Sequence, residues 1–92
     1  MDFEIKGKLI ELLEFKEFTK KDGTTMGKQE FLIEYIDNKF TKKLKLVATT
    51  EKAISHIQSA KAGSDVTCKF TPESREYNGK YYTDVNVWYV AV

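Results

Sequence analysis

The chain has 92 residues, of which 41% are hydrophobic and 32% are charged, and its formal net charge is +1. This length predicts one domain, residues 1–92, because two domains would each be too small to bury a self-sufficient core without disulfides or metal. The composition excludes a disordered chain, and the near-neutral charge means that an argument for a polyanionic partner must rest on how the charges are distributed.

The chain contains one cysteine, Cys68, and one histidine, His56. A lone cysteine cannot form an intramolecular disulfide, and a lone imidazole without a thiol pair cannot form a zinc site. The N-terminal residues lack the continuous apolar stretch of a signal peptide, and no apolar run approaches the roughly 20 residues of a membrane span. We therefore expect a cytoplasmic protein in a reducing compartment, with no membrane partner, no metal and no other cofactor.

The first predicted strand covers residues 2–16, where apolar and charged residues alternate. Gly7 interrupts this alternation, which indicates a bulge or sharp bend that lets one long strand serve both halves of a small barrel. Residues 9–14 also fit a helical pattern, but the alternation before them favours a strand. The polar residues 17–27, which include a turn-forming Asp-Gly pair, are predicted to form a long loop.

Two further strands are predicted over residues 28–36 and 39–49, with a turn at residues 37–38 between them. In the later strand the apolar residues share one face, and Lys43 and Lys45 share the opposite face. No acidic residue occurs between residues 38 and 50. The pattern therefore predicts a strand with a locally basic outer face.

A helix is predicted over residues 51–61, because apolar residues recur there at spacings of three and four after Thr50, whose hydroxyl can accept the first free N–H. A fourth strand is predicted over residues 65–71, and Pro72 is expected to end it. Asn78 and Gly79 form the strongest short-range hairpin signal of the chain and precede a fifth strand rich in β-branched and aromatic residues. The predicted core includes Phe31, Ile33, Leu44, Leu46, Ile57 and Val85.

The order of elements is three strands, a helix and two strands. This order predicts an all-β, five-stranded OB-fold barrel of Greek-key topology with one α-helix between strands 3 and 4. In such barrels the face of strands 2 and 3, together with the 1–2 and 4–5 loops, commonly binds oligonucleotides. An SH3-like barrel is the main alternative, but it does not usually place a helix between its third and fourth strands.

A resemblance to a known family lies in three segments: Lys28-Gln29-Glu30-Phe31, Glu73-Ser74-Arg75-Glu76-Tyr77-Asn78-Gly79-Lys80, and Tyr82-Thr83-Asp84-Val85 with Trp88. These segments resemble a small single-domain bacterial family of unknown function that is itself similar to single-stranded DNA-binding proteins. The likeness runs along nearly the whole chain, and the segment around strands 4 and 5 is its most specific part. The resemblance implies an OB fold.

Proteins that bind single strands need cations that follow the phosphates and aromatic faces on which bases stack. The chain offers both in its lysine-rich second and third strands and in the tyrosine-rich tip of its last hairpin. The predicted nucleic-acid-binding residues are Lys20, Lys21, Lys28, Lys43, Lys45, Arg75, Tyr77, Lys80 and Tyr82. Lysines on an exposed strand are also common at ordinary surfaces, and a tyrosine here can instead pack over the mouth of the barrel. Trp88 is predicted to lie in the core.

Enzymatic activity has little support in the sequence. His56 lies on the predicted helix without a nucleophile motif near it, and Cys68 falls among the apolar residues of strand 4, which indicates a buried structural thiol. The glycines form no phosphate-binding loop. We therefore predict a non-enzymatic protein that binds single-stranded DNA or RNA. The alternative is a module that uses the same barrel face, with Leu32 exposed, to bind another protein or a second copy of itself.

Overall fold

The computed structural model describes residues 3–92, apart from the side chain of Phe18. Its elements, in chain order, are β1 (Phe3–Thr19), β2 (Thr25–Asp37), β3 (Phe40–Ala48), α1 (Glu51–Ser59), β4 (Asp65–Tyr77) and β5 (Lys80–Ala91). The strands form a closed barrel in the order β1-β2-β3-β5-β4. β3 and β5 pair in parallel and the other neighbours are antiparallel. This topology, with its helix between the third and fourth strands, confirms the predicted OB fold.

β1 is a strand throughout, so the helical interpretation of residues 9–14 is wrong. The strand serves two halves of the barrel: the residues before Lys8 pair with β4, those after it pair with β2, and Lys8 itself lies opposite both Asp65 and Glu34. Gly7 directly precedes this changeover, where the sequence predicted a bend. The predicted start of the strand at residue 2 lies outside the described residues.

The core lies inside the barrel and beneath the helix. Phe31, Ile33, Leu46 and Ile57 are fully buried as predicted, whereas two further predicted core residues, Leu44 and Val85, are partly buried and pack against this cluster. α1 begins where Thr50 accepts a hydrogen bond from the backbone N–H of Ala53 at 3.2 Å, as the capping prediction required. The helix lays Ala53 and Ile57 over the barrel. Within residues 3–92 no helix is long and apolar enough to cross a bilayer.

The predicted long loop at residues 17–27 is wrong. β1 continues to Thr19 and pairs there with Thr25, so that the connection between the strands is short and tight. In this turn the carboxylate of Asp22 accepts a hydrogen bond from the backbone N–H of Thr24 at 2.9 Å. The polar composition indicated an exposed segment, but an exposed segment need not be a loop. Two exposed strands can form backbone hydrogen bonds with each other, just as the backbone of a loop forms them with water. The segment is therefore a hairpin arm that extends beyond the barrel.

The prediction that Pro72 ends β4 is also wrong, because the strand continues to Tyr77. Within the described residues, β4 pairs with β1 as far as Phe70 and with β5 along its whole remaining length. Beyond Phe70, β4 is thus an edge strand. Proline lacks an N–H, and it is tolerated at such an edge because no ladder hydrogen bond is required on the open side. The hairpin turns at Asn78 and Gly79, whose φ values of 51° and 77° match the predicted tight turn.

Candidate nucleic-acid interface

A groove of about 230 Å³ lies where the outer face of β2 and β3 meets the projecting β4–β5 hairpin. Side chains of all five strands line it: Lys16, Lys28, Glu30, Val47, Arg75, Asp84 and Asn86. Alternation sends the groove residues of β3, such as Val47 between Leu46 and Ala48, outward from the core, whereas Lys16 and Arg75 belong to exposed parts of the two hairpins. The groove therefore combines three cations, two carboxylates, one amide and one apolar side chain.

The cations of the groove come from elements that are distant in the sequence. Lys16 and Lys28 lie opposite each other in the β1–β2 pairing. Arg75 reaches the groove from β4, and its guanidinium lies 3.5 Å from the carboxylate of Asp84, while the ammonium of Lys16 lies 3.7 Å from Glu14. Both ion pairs join exposed side chains, and such pairs contribute little to stability. A phosphate group could therefore replace either carboxylate at low cost.

The tip of the β4–β5 hairpin carries aromatic and basic residues on one face. Arg75 lies opposite Tyr82, and Tyr77 lies opposite Lys80. Because these two pairs are separated by two residues along each strand, all four side chains share the face that borders the groove. Tyr82 is 49% exposed, so a ligand can reach its side chain from solvent. The structure thus brings four of the predicted site residues together.

Lys43 and Lys45 point outward from β3 as predicted, and both are exposed. Their surroundings are not basic, however. The cross-strand neighbour of Lys43 is Glu34, and the ammonium of Lys45 lies 3.6 Å from the carboxylate of Glu30. The acid-free run between residues 38 and 50 was misleading because the neighbours of a strand residue on a sheet surface belong to adjacent strands, not to its own. This part of the face has mixed charge.

Lys20 and Lys21 lie in the turn between β1 and β2, and both are exposed. The backbone N–H of Lys20 donates to the carbonyl of Thr24 at 2.7 Å, which places the first lysine at the base of the turn. This position is four residues beyond Lys16, roughly 13 Å along the hairpin arm. The two lysines therefore lie beyond the end of the groove.

The sequence analysis missed Lys16 and Asn86 of the groove. The amide of Asn86 donates to the carboxylate of Glu73 at 3.3 Å and lines the floor next to β3. Lys16 was missed because residues 17–27 were interpreted as a loop. The Asp-Gly pair was a signal for a hairpin here, although a turn centred on that pair would have placed Lys16 opposite Gln29, one residue from its actual partner Lys28.

Trp88 was predicted to lie in the core. This prediction is wrong, because Trp88 is 38% exposed. Lys69 pairs with Tyr89 and Phe70 pairs with Val87, so Trp88 is an extra residue in a β-bulge. The bulge turns Trp88 and Tyr89 to the same outer surface, where their ring centroids are 6.4 Å apart and the ammonium of Lys69 lies 5.9 Å and 5.3 Å from them. Alternation from Val85 and Val87 already points Trp88 outward, so its prediction as core followed from its large apolar ring. Only the outward position of Tyr89 depends on the bulge.

The two side chains considered for catalysis have structural surroundings. Cys68 is fully buried as predicted, and burial raises the pKa of its thiol to about 12, which keeps it protonated at neutral pH. His56 is exposed on α1, and its Nδ1 lies 2.9 Å from the carbonyl oxygen of Val90. Among residues 3–92, no group of three or more histidine, cysteine or acidic side chains is placed to hold a metal ion.

The topology and the groove define an OB-fold barrel with an open, partly cationic cleft between its β2–β3 face and its last hairpin. The chain belongs to the family described as a domain of unknown function, DUF3127, whose sequence model matches residues 4–91. This confirms the resemblance found in the sequence. No curated protein matches the chain in sequence.

Several solved structures share the fold. The mitochondrial single-stranded DNA-binding protein Rim1 of S. cerevisiae is similar with a TM-score of 0.71 and 13% identity, over 100% of this chain and 94% of that chain. The SSB domain of a Synechococcus protein gives a TM-score of 0.65 and 13% identity, over 97% and 91%. The small single-stranded DNA-binding protein of Streptomyces coelicolor gives a TM-score of 0.51 and 12% identity, over 99% of this chain and 92% of that chain. At these identities the likeness shows the fold.

Proposed function

We propose that this protein is a non-enzymatic cytoplasmic binder of single-stranded nucleic acid, DNA rather than RNA, which holds the strand in the groove beside the β4–β5 hairpin. The observation that carries the proposal is the convergence of Lys16, Lys28 and Arg75 on one groove bordered by the exposed ring of Tyr82. The similar structures named as single-stranded DNA-binding proteins support it, because they share this barrel.

The groove has the two components that single-strand binding requires. Its cations can follow the phosphates, and the tyrosines at the hairpin tip offer faces on which unpaired bases can stack. Glu30 and Asp84 lie among the cations and limit the net positive charge. Attraction to phosphate alone is therefore weak, and a larger share of the affinity must come from stacking. Because stacking needs unpaired bases, we expect a preference for single strands over duplex.

The remaining predicted residues take outer positions in this proposal. Lys20 and Lys21 would contact phosphates beyond one end of the groove. Lys43 and Lys45 would contribute less than the cations of the groove, since both lie outside it. Tyr77 and Lys80 extend the binding face to the hairpin tip.

A fluorescence-anisotropy titration tests the proposal with labelled oligo-dT, oligo-rU and duplex DNA at two salt concentrations. We expect tighter binding of oligo-dT than of duplex, with an affinity that falls as salt rises because phosphate binding releases counterions. Tyr82→Ala should weaken binding. Tyr81→Ala is the matched control, because Tyr81 is the adjacent tyrosine, 71% exposed and on the other face of the hairpin.

Equal affinity for single strands and duplex would contradict the proposal, as would an equal loss in the two tyrosine variants. Lys52→Ala/Lys61→Ala provides a further control, since it removes two exposed lysines from the region of the helix, outside the groove. If this variant weakens binding as much as Lys16→Ala/Lys28→Ala does, the attraction is generic.

A protein-interaction module is the second candidate function. Leu32, which was predicted to be exposed for this purpose, is half-buried. A different observation favours this alternative: Ile36 and Phe40 are both exposed at the tip of the β2–β3 hairpin, on adjoining cross-strand pairs. Binding through these apolar side chains would be nearly independent of salt, so the salt series of the titration separates the two functions.

A further inference from the structure

We propose that Trp88 and Tyr89, together with Lys69, form a second base-stacking subsite for the same single strand, at the barrel end of the β4–β5 face. This inference rests on the proposed function and extends it from one groove to a track with aromatic residues at both ends. It uses three exposed or half-buried side chains that lie outside the groove.

The bulge in β5 builds the subsite. Trp88 and Tyr89 are consecutive residues, and in a regular strand one of them would point into the core. The extra residue turns both rings outward at an interplanar angle of 54°, and they are 38% and 44% exposed. Two hydrogen bonds hold the bulge in place: the backbone N–H of Thr49 donates to the carbonyl of Val87 at 3.0 Å, and the hydroxyl of Thr50 donates to that of Trp88 at 3.1 Å. Both rings therefore project from a backbone that is held in place, which reduces the ordering needed when a base stacks on them.

The charge at this patch favours a nucleic acid over an apolar partner. Lys69 lies between Glu4 on β1 and Tyr89 on β5, and its ammonium lies within 6 Å of both ring centroids. The lysine therefore places a cation beside the two aromatic faces, as a base with its attached phosphate requires. An apolar docking surface would have to bury this ammonium, and burying a charge is costly.

The patch continues the proposed binding face. Along β5, alternation puts Tyr82, Asp84, Asn86 and Trp88 on the same surface, and two of these residues line the groove. The seven residues from Tyr82 to Trp88 are joined by six steps, which span roughly 20 Å. An extended strand of several nucleotides covers this distance, within the site sizes of about 4–16 nucleotides that OB folds use. A strand stacked at Tyr82 can therefore reach Trp88 across the groove floor.

The experiment uses Trp88 as its own reporter, since it is the one tryptophan of the chain. Oligo-dT of about 2 nucleotides, too short to bridge the roughly 20 Å between the rings, and of about 16 nucleotides is titrated while tryptophan fluorescence and, with labelled strands, anisotropy are recorded. We expect anisotropy to report binding of both lengths but only the longer strand to quench Trp88. Trp88→Ala should lower the affinity for the longer strand at least about fivefold and leave the shorter strand unaffected. Trp88→Phe, which keeps an aromatic face, should restore most of the loss and shows that the effect is not misfolding.

The outcomes separate this inference from the proposed function. If the longer strand binds without quenching Trp88 and Trp88→Ala changes nothing, the subsite is overturned while the groove stands. If neither strand binds, the proposed function fails and the subsite with it. Equal quenching by both lengths overturns the two-subsite arrangement. Self-association in sedimentation that Trp88→Ala abolishes, without quenching by any strand, assigns the patch to an interface between copies and also overturns the subsite.

Discussion

Gly7 passes directly beneath the backbone carbonyl of Glu34: a methyl group on its Cα would lie 2.5 Å from that oxygen. The close approach occurs where β1 exchanges β4 for β2 as its partner, next to Lys8. A side chain would have to push two backbones apart at this point, which is why the otherwise alternating strand carries a glycine. The changeover closes the barrel that supports the groove.

Gly7→Ala should therefore destabilise the fold by about 1–3 kcal/mol, the range for overpacking at a tightly packed site. Urea unfolding measures the change. Gly27→Ala is a matched comparison, because a methyl group there would meet the ring of Phe15 at 2.9 Å, and that half-exposed ring can swing away. We expect the Gly27 variant to be the more stable of the two. The reverse order would show that the Glu34 carbonyl yields easily.

Lys39 occupies a backbone conformation that suits glycine. The β2–β3 turn has φ values of 48° at Asn38 and 75° at Lys39, nearly those of Asn78 and Gly79 in the β4–β5 turn. A non-glycine residue in the left-handed region is strained by roughly 1–2 kcal/mol. Lys39→Gly should raise the free energy of unfolding by about 0.5–1 kcal/mol after the entropic cost of glycine is subtracted. Thermal unfolding checks this, and a lowered melting temperature would contradict it.

Cys68 makes stability depend on pH in the alkaline range. Burial raises the pKa of its thiol from an ordinary value of 9.0 to about 12. Between these values the folded state keeps the proton that the unfolded state loses, so stability falls as pH rises through this window. From pH 8 to pH 10, the free energy of unfolding of Cys68→Ala should fall by about 1.4 kcal/mol less than that of the unchanged protein. Urea unfolding of both proteins at the two pH values gives the difference directly. A constant difference would mean that the thiol is not desolvated.

The sequence predicted the fold through features that act locally. The Thr50 cap, the Asn78-Gly79 turn and the alternation around Phe31 are each determined by a few neighbouring residues, and the order of elements then restricts the topology to very few choices. Gly7 was likewise recognisable as a break in a pattern. These features need no knowledge of what lies across the sheet.

The binding face could be predicted only in part, because its properties depend on neighbours across strands. Lys43 and Lys45 belong to a segment that is basic along the sequence, but Glu34 and Glu30 of the adjacent strand lie beside them on the sheet. A single extra residue at Trp88 reverses the direction of every side chain that follows, and alternation alone cannot reveal it.

Two double variants with the same loss of charge compare the cations of the groove with those of β3. Lys16→Ala/Lys28→Ala should weaken binding of oligo-dT. It should also reduce the slope of the logarithm of the affinity against the logarithm of the salt concentration by up to about 1.4, at about 0.7 for each phosphate that is no longer neutralised. Lys43→Ala/Lys45→Ala should have a smaller effect on both, because these two lysines lie outside the groove. Anisotropy titrations at several salt concentrations measure both quantities. A larger effect of the β3 pair would move the binding face from the groove to the centre of the sheet.

Asp84 should oppose binding, although it lies at the centre of the proposed site. Its carboxylate is 3.5 Å from the guanidinium of Arg75, so it both repels a phosphate and occupies the group best suited to bind one. Asp84→Asn should therefore strengthen binding of oligo-dT by about two- to tenfold and steepen its salt dependence by about 0.7, the contribution of one more neutralised phosphate on a single strand. Stability should change little, since the ion pair joins exposed side chains. Asp65→Asn is the control: it removes the same charge from β4 outside the groove. If both variants strengthen binding equally, net charge alone governs the affinity; if Asp84→Asn weakens it, Asp84 holds Arg75 in the binding position.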